Sequence, residues 1–356
     1  MNFVVLSDNK PLPGNDLVLP EHGFSLYFEL EGRRFLYDTG ASGKFIRNAA
    51  QFGIDISCVD VVIISHGHND HTGGLREFFR INKRAKVYLS SEILFNDYYT
   101  CRRGPKRMLS MDKSLFNEFY DRFVFLNDDT EIFPGITLFF TKDAIFSMPV
   151  ANKFLFVTKD GVDYKDNFFH EISIIISGER IKNIENSIKP QSQLVSQQEL
   201  QLELKQKLQQ ELESEFQQEL QSEQQPKPVL ELLPQIQSKL QTEPSLELLS
   251  VDILKPNSLN FSVNEFSENR FIDIRNGDIV ISACSHMGLL NILDKASVYS
   301  KNVNSYIGGL HLVDGDFDSE EDIIEIRKAL IATYPQIQIF TGHCTSDKAI
   351  QLLKGV

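Results

Sequence analysis

The sequence predicts an α/β domain broken by an insertion, and three observations carry that expectation. Short apolar, β-branched segments such as Val61-Val62-Ile63-Ile64 and Ile172–Ile176 recur along the chain, separated by stretches of helical period. Four such segments run out onto a histidine, at His66, His286, His311 and His343. Between them, residues 187–250 change character: Gln, Glu, Leu and Ser dominate, and Phe216 is the only aromatic residue.

Phe3–Leu6 reads as the first strand, and Pro11, Pro13 and Gly14 then break the chain. Phe24–Leu30 and Arg34–Tyr37 read as a hairpin about Glu31-Gly32, ending at Asp38-Thr39-Gly40. Residues 43–53 read as a helix with Phe45, Ile46, Ala49 and Ala50 on one face. Val61–Ile64 is a buried strand, Leu75–Ile81 a helix and Val87–Leu89 a strand. Phe139-Phe140, Phe154–Val157 and Ile172–Ile176 are further strands. Beyond the interruption, Asn276-Gly277 reads as a turn into a strand over Asp278–Ala283. That strand becomes a sheet neighbour of Ile172–Ile176 once the insertion is set aside. Met287–Ala296 reads as a helix and Ser305–Gly309 as a strand. Glu320–Thr333 reads as an amphipathic helix capped at Asp318-Ser319, and Gln336–Phe340 as the last strand.

In the interruption, Leu200, Leu204, Leu208, Leu212, Phe216 and Leu220 fall on every fourth residue among good helix formers. That step drifts about 40° per repeat on a 3.6-residue helix, so the apolar line spirals and forms no continuous seam. Pro226, Pro228, Pro234 and Pro244 rule out one long helix in its second half. The expectation is a low-complexity, partly helical insertion over 187–250. It would loop out between the two parts of the domain, 1–186 and 251–356, and offer a surface to a protein partner.

Hydrophobic residues make up 42% of the 356, enough for a sizeable core. A net charge of −13 argues against a nucleic-acid or anionic-membrane partner. Cys58, Cys101, Cys284 and Cys344 lie far apart, which is no disulfide framework in a chain of this length. Met1–Asp8 has no basic region and too short an apolar run for a signal peptide. No stretch approaches the roughly 20 apolar residues of a membrane span. The simplest expectation is a reduced, cytoplasmic setting. The one notable basic run lies in 97–113, with Arg102, Arg103, Lys106, Arg107 and Lys113, and suits an anionic substrate group.

The chemistry is concentrated in Ser65-His66-Gly67-His68-Asn69-Asp70-His71. His66 and His68, two apart in extended backbone, point the same way and can grip one cation. Asp70 and His71 come after a turn and can face a second. Three imidazoles and a carboxylate suit zinc, with iron and manganese as rivals. An open position on such a metal carries water whose pKa falls from about 16 to roughly 7.

His66-Gly67-His68-Asn69-Asp70-His71 resembles the HxHxDH signature of the metallo-β-lactamase superfamily. Glu21-His22-Gly23, Tyr37-Asp38-Thr39-Gly40, Cys284-Ser285-His286, Gly308-Gly309-Leu310-His311 and Gly342-His343-Cys344-Thr345 extend the likeness. In that order they resemble the branch with dihydropterin-6-methyl-aminobenzene-ribofuranosyl-phosphate synthases and uncharacterised metal-dependent hydrolases. The resemblance covers most of residues 1–180 and 265–356. It implies an αββα sandwich and one or two divalent metal ions. His66, His68 and His286 are expected at the first metal; Asp70, also the catalytic candidate, His71 and His343 at the second. Asp38 is expected behind the metal loop, and His22 at the rim of the site. His311, with Arg103 and Arg107, is expected near the substrate. Many members carry a bridging carboxylate where this chain has Gly308-Gly309-Leu310-His311. In its absence Cys284 could bridge, or His170 could add a ligand; both otherwise support the ligands from behind.

These residues lead to three expected functions. The first is hydrolysis of an ester, phosphoester or cyclic small molecule by a metal-bound hydroxide. The second is metal-dependent group transfer of the pterin-branch type. The third is a metal-binding interaction protein acting through the insertion.

Overall fold

Alternation along each strand decides which layer a side chain enters. In strand Asn2–Ser7, Phe3 and Val5 face one way while Val4 and Leu6 face the other. Phe35 and Tyr37 separate from Leu36 in the same manner, Ile172, Ile174 and Ile176 from Ile175, and Ile279 and Ile281 from Val280. The first set from all these strands meets in one core between two sheets. The second sets lie beneath helices on the outer faces. Phe45 and Ala49 of helix Lys44–Gln51 and Leu75, Phe78 and Phe79 of helix Leu75–Ile81 cover one sheet. Helices Leu289–Ala296, Glu320–Thr333 and Asp347–Lys354 cover the other through Ile292, Leu293, Ile323, Leu330, Ile350 and Leu353. The result is the αββα sandwich that the sequence leads one to expect. Each fully buried Leu, Ile or Phe contributes about 1.5–3 kcal/mol.

The computed structural model describes residues 1–102, 104–178, 261–273, 277–313, 315 and 318–355. The expected insertion at 187–250 with both its boundaries, Arg103 and Asn276 lie outside the described residues. Among the described residues, one sheet runs in the order Phe271–Asp273, Asn2–Ser7, Ser25–Leu30, Arg33–Tyr37, Val61–Ile63, Lys86–Ser90, Phe123–Leu126. The facing sheet runs Ser262–Glu265, Gln338–Thr341, Val303–Ile307, Asp278–Ile281, Ile172–Ile176, Ile136–Phe140, Thr130–Phe133. Ile172–Ile176 pairs antiparallel with Asp278–Ile281, Ile174 opposite Ile281, across the interruption. Asp278–Ile281, Val303–Ile307 and Gln338–Thr341 are mutually parallel. Their C-terminal ends therefore lie on the same edge as the N-terminal end of Ile172–Ile176.

A third, four-stranded sheet joins Val162–Lys165, Leu155–Lys159, Asp97–Thr100 and Arg107–Met108. Two of its strands, Asp97–Thr100 and Arg107–Met108, come from the basic run, whose Tyr98 and Tyr99 lie opposite Val157 and Phe156. The helix at 320–333 is capped by Ser319, which exchanges hydrogen bonds with Asp322 three residues on; Asp318 plays no part in the cap. No helix among the described residues is long and apolar enough to cross a membrane.

Candidate metal centre

Strand tips deliver the site. Strand Val61–Ile63 leads into Ser65–His71, Asp278–Ile281 into Cys284–His286, Val303–Ile307 into His311, and Gln338–Thr341 into His343-Cys344. His170 and Glu171 stand just before Ile172–Ile176 on the same edge. The ligand atoms of His66, His68 and His286 all lie within 4.8 Å of one another, as do those of Asp70, His71 and His343. Two further groups meet the same limit, His66/His71/Cys284 and Cys284/His311/Cys344.

Hydrogen bonds behind the imidazoles decide which nitrogen faces inward. Asp38 accepts from Ser65 N–H at 2.7 Å, Ser65 Oγ at 2.6 Å and His71 Nδ1 at 2.7 Å. Its proton so placed, Ser65 Oγ accepts from His66 Nδ1 at 2.8 Å. The Asn152 amide donates Nδ2–H to His286 O, which leaves its Oδ1 to accept from His286 Nδ1 at 3.1 Å. Asn9 Oδ1 accepts Gly23 N–H, and it also accepts from His343 Nδ1 at 2.9 Å. In each case the proton sits on Nδ1, so Nε2 of His66, His71, His286 and His343 presents a lone pair.

Those lone pairs converge. His66 Nε2 is 3.0 Å from His68 Nδ1, and His71 Nε2 is 3.2 Å from His343 Nε2. Two acceptors at that distance repel unless a proton or cation lies between them. Two nitrogens bound at about 2.0–2.1 Å to one tetrahedral ion stand roughly 3.4 Å apart, close to both spacings. His286 Nε2 is buried with no hydrogen-bond partner among the described residues. The donor set fits a divalent metal ion.

Electrostatics obey the same layout. Burial first, then the neighbouring imidazoles, hold His66 well below the ordinary histidine range. Burial pushes His68 down to about 4 and also depresses His286 and His343. His71 goes the other way: burial opposes its protonation, but Asp70 and Asp38 outweigh it. Burial pulls Asp70 upward, yet His71 and His343 overcome this and hold it below the carboxylate range. Asp38 is held above that range by burial, against the pull of His71 and Ser65.

The remaining candidates sort by contact. His170 accepts Gly67 N–H at 3.3 Å on Nδ1 and pairs with Asp166 at 3.2 Å through Nε2. Both its nitrogens are engaged, and it clamps the metal loop from behind. Gly67 owes its identity to crowding, since a Cβ there would stand 2.4 Å from the Tyr98 ring. His22, 72% exposed, reaches Asp70 at 3.3 Å from the rim. His311 packs 4.2 Å from the His286 ring. Burial and positive neighbours push it down to about 3. The Cys284 Sγ is 3.3 Å from His71 Nε2, and burial drives its thiol pKa up. The basic run divides. Lys106 pairs with Asp163 and Lys113 with Asp97 on the surface, whereas Arg102 and Arg107 line a cleft of about 140 Å³. His68, Asp70, His286 and His311 line the same cleft.

Sequence reasoning missed Ser65, Asn9, Asn152 and Glu171. Glu171 accepts the backbone N–H groups of His286 and Met287 at 2.9 and 3.0 Å, and burial pushes its pKa up to about 7. Five of the seven non-glycine residues with positive φ among the described residues surround the centre: Asp38, Phe168, Ser285, His311 and Cys344. Strain gathered at one place is a mark of a functional site.

Residues 18–141 match the model of the metallo-beta-lactamase superfamily. The matched stretch carries Asp38 and the metal loop, and the chain has the metallo-β-lactamase fold. It is similar to a crystal structure of a metal-dependent hydrolase of the β-lactamase superfamily, with a TM-score of 0.60 and 22% identity, over 100% of this chain and 92% of that one. The 7,8-dihydropterin-6-methyl-4-(beta-D-ribofuranosyl)-aminobenzene-5'-phosphate synthase of Methanocaldococcus jannaschii is 24% identical over 92% of this chain and 82% of its own length. The Anti-Pycsar protein Apyc1 of Paenibacillus harenae is 32% identical over 24% of this chain and 37% of its own. The four strand-end histidines, the Asp38 support and the layered sheets thus belong to one architecture.

Proposed function

We propose that this chain is a metal-dependent hydrolase of a small anionic ester, with phosphoesters first. The observation that carries the reading is the pair of donor groups, His66/His68/His286 and Asp70/His71/His343, beside one cleft. A divalent ion held there, zinc before iron or manganese, supplies Lewis acidity and lowers the pKa of a coordinated water from about 16 to roughly 7. The chain does the rest by position. His66, His68 and His286 hold three lone pairs on one point. Asp70, kept ionised by His71 and His343, acts as a fixed negative ligand and an acceptor that orients an attacking water. His22 at the rim touches Asp70 and offers a proton path to solvent. Arg102 and Arg107 give the cleft a positive wall for the anionic group of the substrate.

The test is metal-loaded protein against a panel of phosphomonoesters, phosphodiesters, cyclic phosphates and carboxylic esters in isotopically labelled water. The label should enter one product, and His68→Ala should abolish turnover. No turnover across the panel, or equal turnover by the variant, overturns the reading. A second reading, group transfer, is favoured by the alignment with the pterin-phosphate synthase over 92% of this chain. Here the same groups activate a leaving group while an acceptor other than water attacks. A coupled product without label, from a pterin diphosphate and an arylamine acceptor, selects it.

A further inference from the structure

We propose a third cation position, made by Cys284 Sγ, Cys344 Sγ and a ring nitrogen of His311, that takes a soft ion such as zinc. It goes beyond the hydrolase reading and does not depend on it. The three ligand atoms lie within 4.8 Å of one another, and all three residues line the cleft. His311 Nδ1 is buried without a hydrogen-bond partner among the described residues. Both cysteines are free, and their sulfurs are 3.3 Å apart. Two thiolates bound at about 2.3 Å to a tetrahedral zinc stand roughly 3.8 Å apart, and sulfurs joined in a disulfide about 2.0 Å apart. The observed spacing is nearer the former. Backbone geometry points the same way. His311 and Cys344 sit at φ of 51° and 46°, and Ser285 beside Cys284 at 57°. Three strand tips thus carry strain, and each turns a donor toward one point.

The chemistry of this set differs from that of its neighbours. The histidine and aspartate groups supply nitrogen and oxygen, whereas two sulfurs and one imidazole prefer zinc, cobalt, cadmium or cuprous copper. Two thiolates also cancel the charge of a divalent ion, which the crowded imidazoles cannot do. Three protein donors leave a coordination position open toward the cleft, the arrangement of a site that meets a ligand. Cys284 is the shared corner, since its sulfur is also 3.3 Å from His71 Nε2.

The experiment titrates reduced, chelator-stripped full-length protein with cobalt(II) chloride alone, without substrate. Bound metal is counted by elemental analysis, and sulfur-to-cobalt charge transfer is monitored by absorption. Wild type should develop the charge-transfer band. Cys344→Ser should lose one equivalent of cobalt and at least half of the band. His311→Asn, which tolerates the left-handed backbone and keeps both thiols, should lose the same equivalent. Far-UV circular dichroism checks that each variant folds, and either folded variant suffices. A wild-type protein without the band overturns the proposal. So does a band and stoichiometry unchanged in the folded variants, and so does a Cys284–Cys344 disulfide that survives reductant.

Discussion

Replacing Asp38 by Asn keeps the shape of the side chain and removes its charge, and the hydrogen bonds around it determine the effect on the metal. The carboxylate accepts three donors: Ser65 N–H, Ser65 Oγ and His71 Nδ1. An amide has one acceptor atom. If its oxygen stays on Ser65 N–H, its NH2 faces His71 Nδ1, and His71 must take the tautomer that protonates Nε2. The nitrogen aimed at the second metal then carries hydrogen and cannot ligate. If the amide flips, His71 keeps its tautomer, but the NH2 opposes a buried backbone N–H, at a cost of about 1–3 kcal/mol. Loss of such a supporting group typically weakens metal binding roughly 10–100-fold, or about 1.4–2.8 kcal/mol, and the cost of the flipped route is of that size. Competition with a chromophoric chelator should therefore show Asp38→Asn holding zinc roughly 10–100-fold more weakly at the Asp70/His71/His343 group. The His66/His68/His286 group should weaken less, since Ser65 alone connects it to Asp38. Affinity within twofold of wild type at both groups would refute the argument that Asp38 sets the tautomer of His71.

Four further outcomes are expected. His68→Ala should lose metal from the first group, and unchanged content by elemental analysis counts against the assignment. In chelator-treated protein, stability should fall as pH drops below about 6.5, the unfolded histidine value. His66, His68, His286 and His343 titrate lower when folded, so there the unfolded chain takes up more protons. His71, Glu171 and Asp38, all raised, oppose the trend but are outnumbered; a urea midpoint flat from pH 7.5 to 5 contradicts it. Glu171→Gln leaves one of two buried N–H groups unpaired and should cost about 1–3 kcal/mol, read as a lower melting temperature. Ile174→Ala, in the core between the sheets, should cost roughly 2–5 kcal/mol in denaturant unfolding without altering metal content.

What was legible in the sequence was whatever a short window could carry. Ile172–Ile176 reads as a strand because both its faces are buried and no polar residue but Ser173 interrupts it. Asp97–Thr100 and Arg107–Met108 were hidden because charges surround two short strands that pair with each other, and the further partner of Asp97–Thr100, Leu155–Lys159, lies some fifty residues away. The helix Asp347–Lys354 follows the last strand after the short loop that carries His343 and Cys344, and only its cap, Ser346, marks its start.

The site divides by the same criterion, and sheet geometry explains why. A histidine after an apolar strand is a local signal, repeated four times here. His66, His68 and His71 follow a strand of one sheet, and His286 and His343 follow strands of the facing sheet. Facing sheets pack about 10 Å apart, so the loops after the tips must lean across that gap before imidazoles from both can share an ion, and no single stretch of sequence shows that meeting. The partners that choose their tautomers have no such signature. Asn9 meets His343 across 334 residues of chain, and Asn152 meets His286 across 134. An Asn in a loop looks the same whether it supports a ligand or faces water. The strained conformations at Asp38, Ser285, His311 and Cys344 are equally silent, because none is a glycine. Local pattern thus proposes which residues bind, while the fold alone decides which nitrogen of each does so. For this centre, the nitrogen decides whether an ion can be held at all.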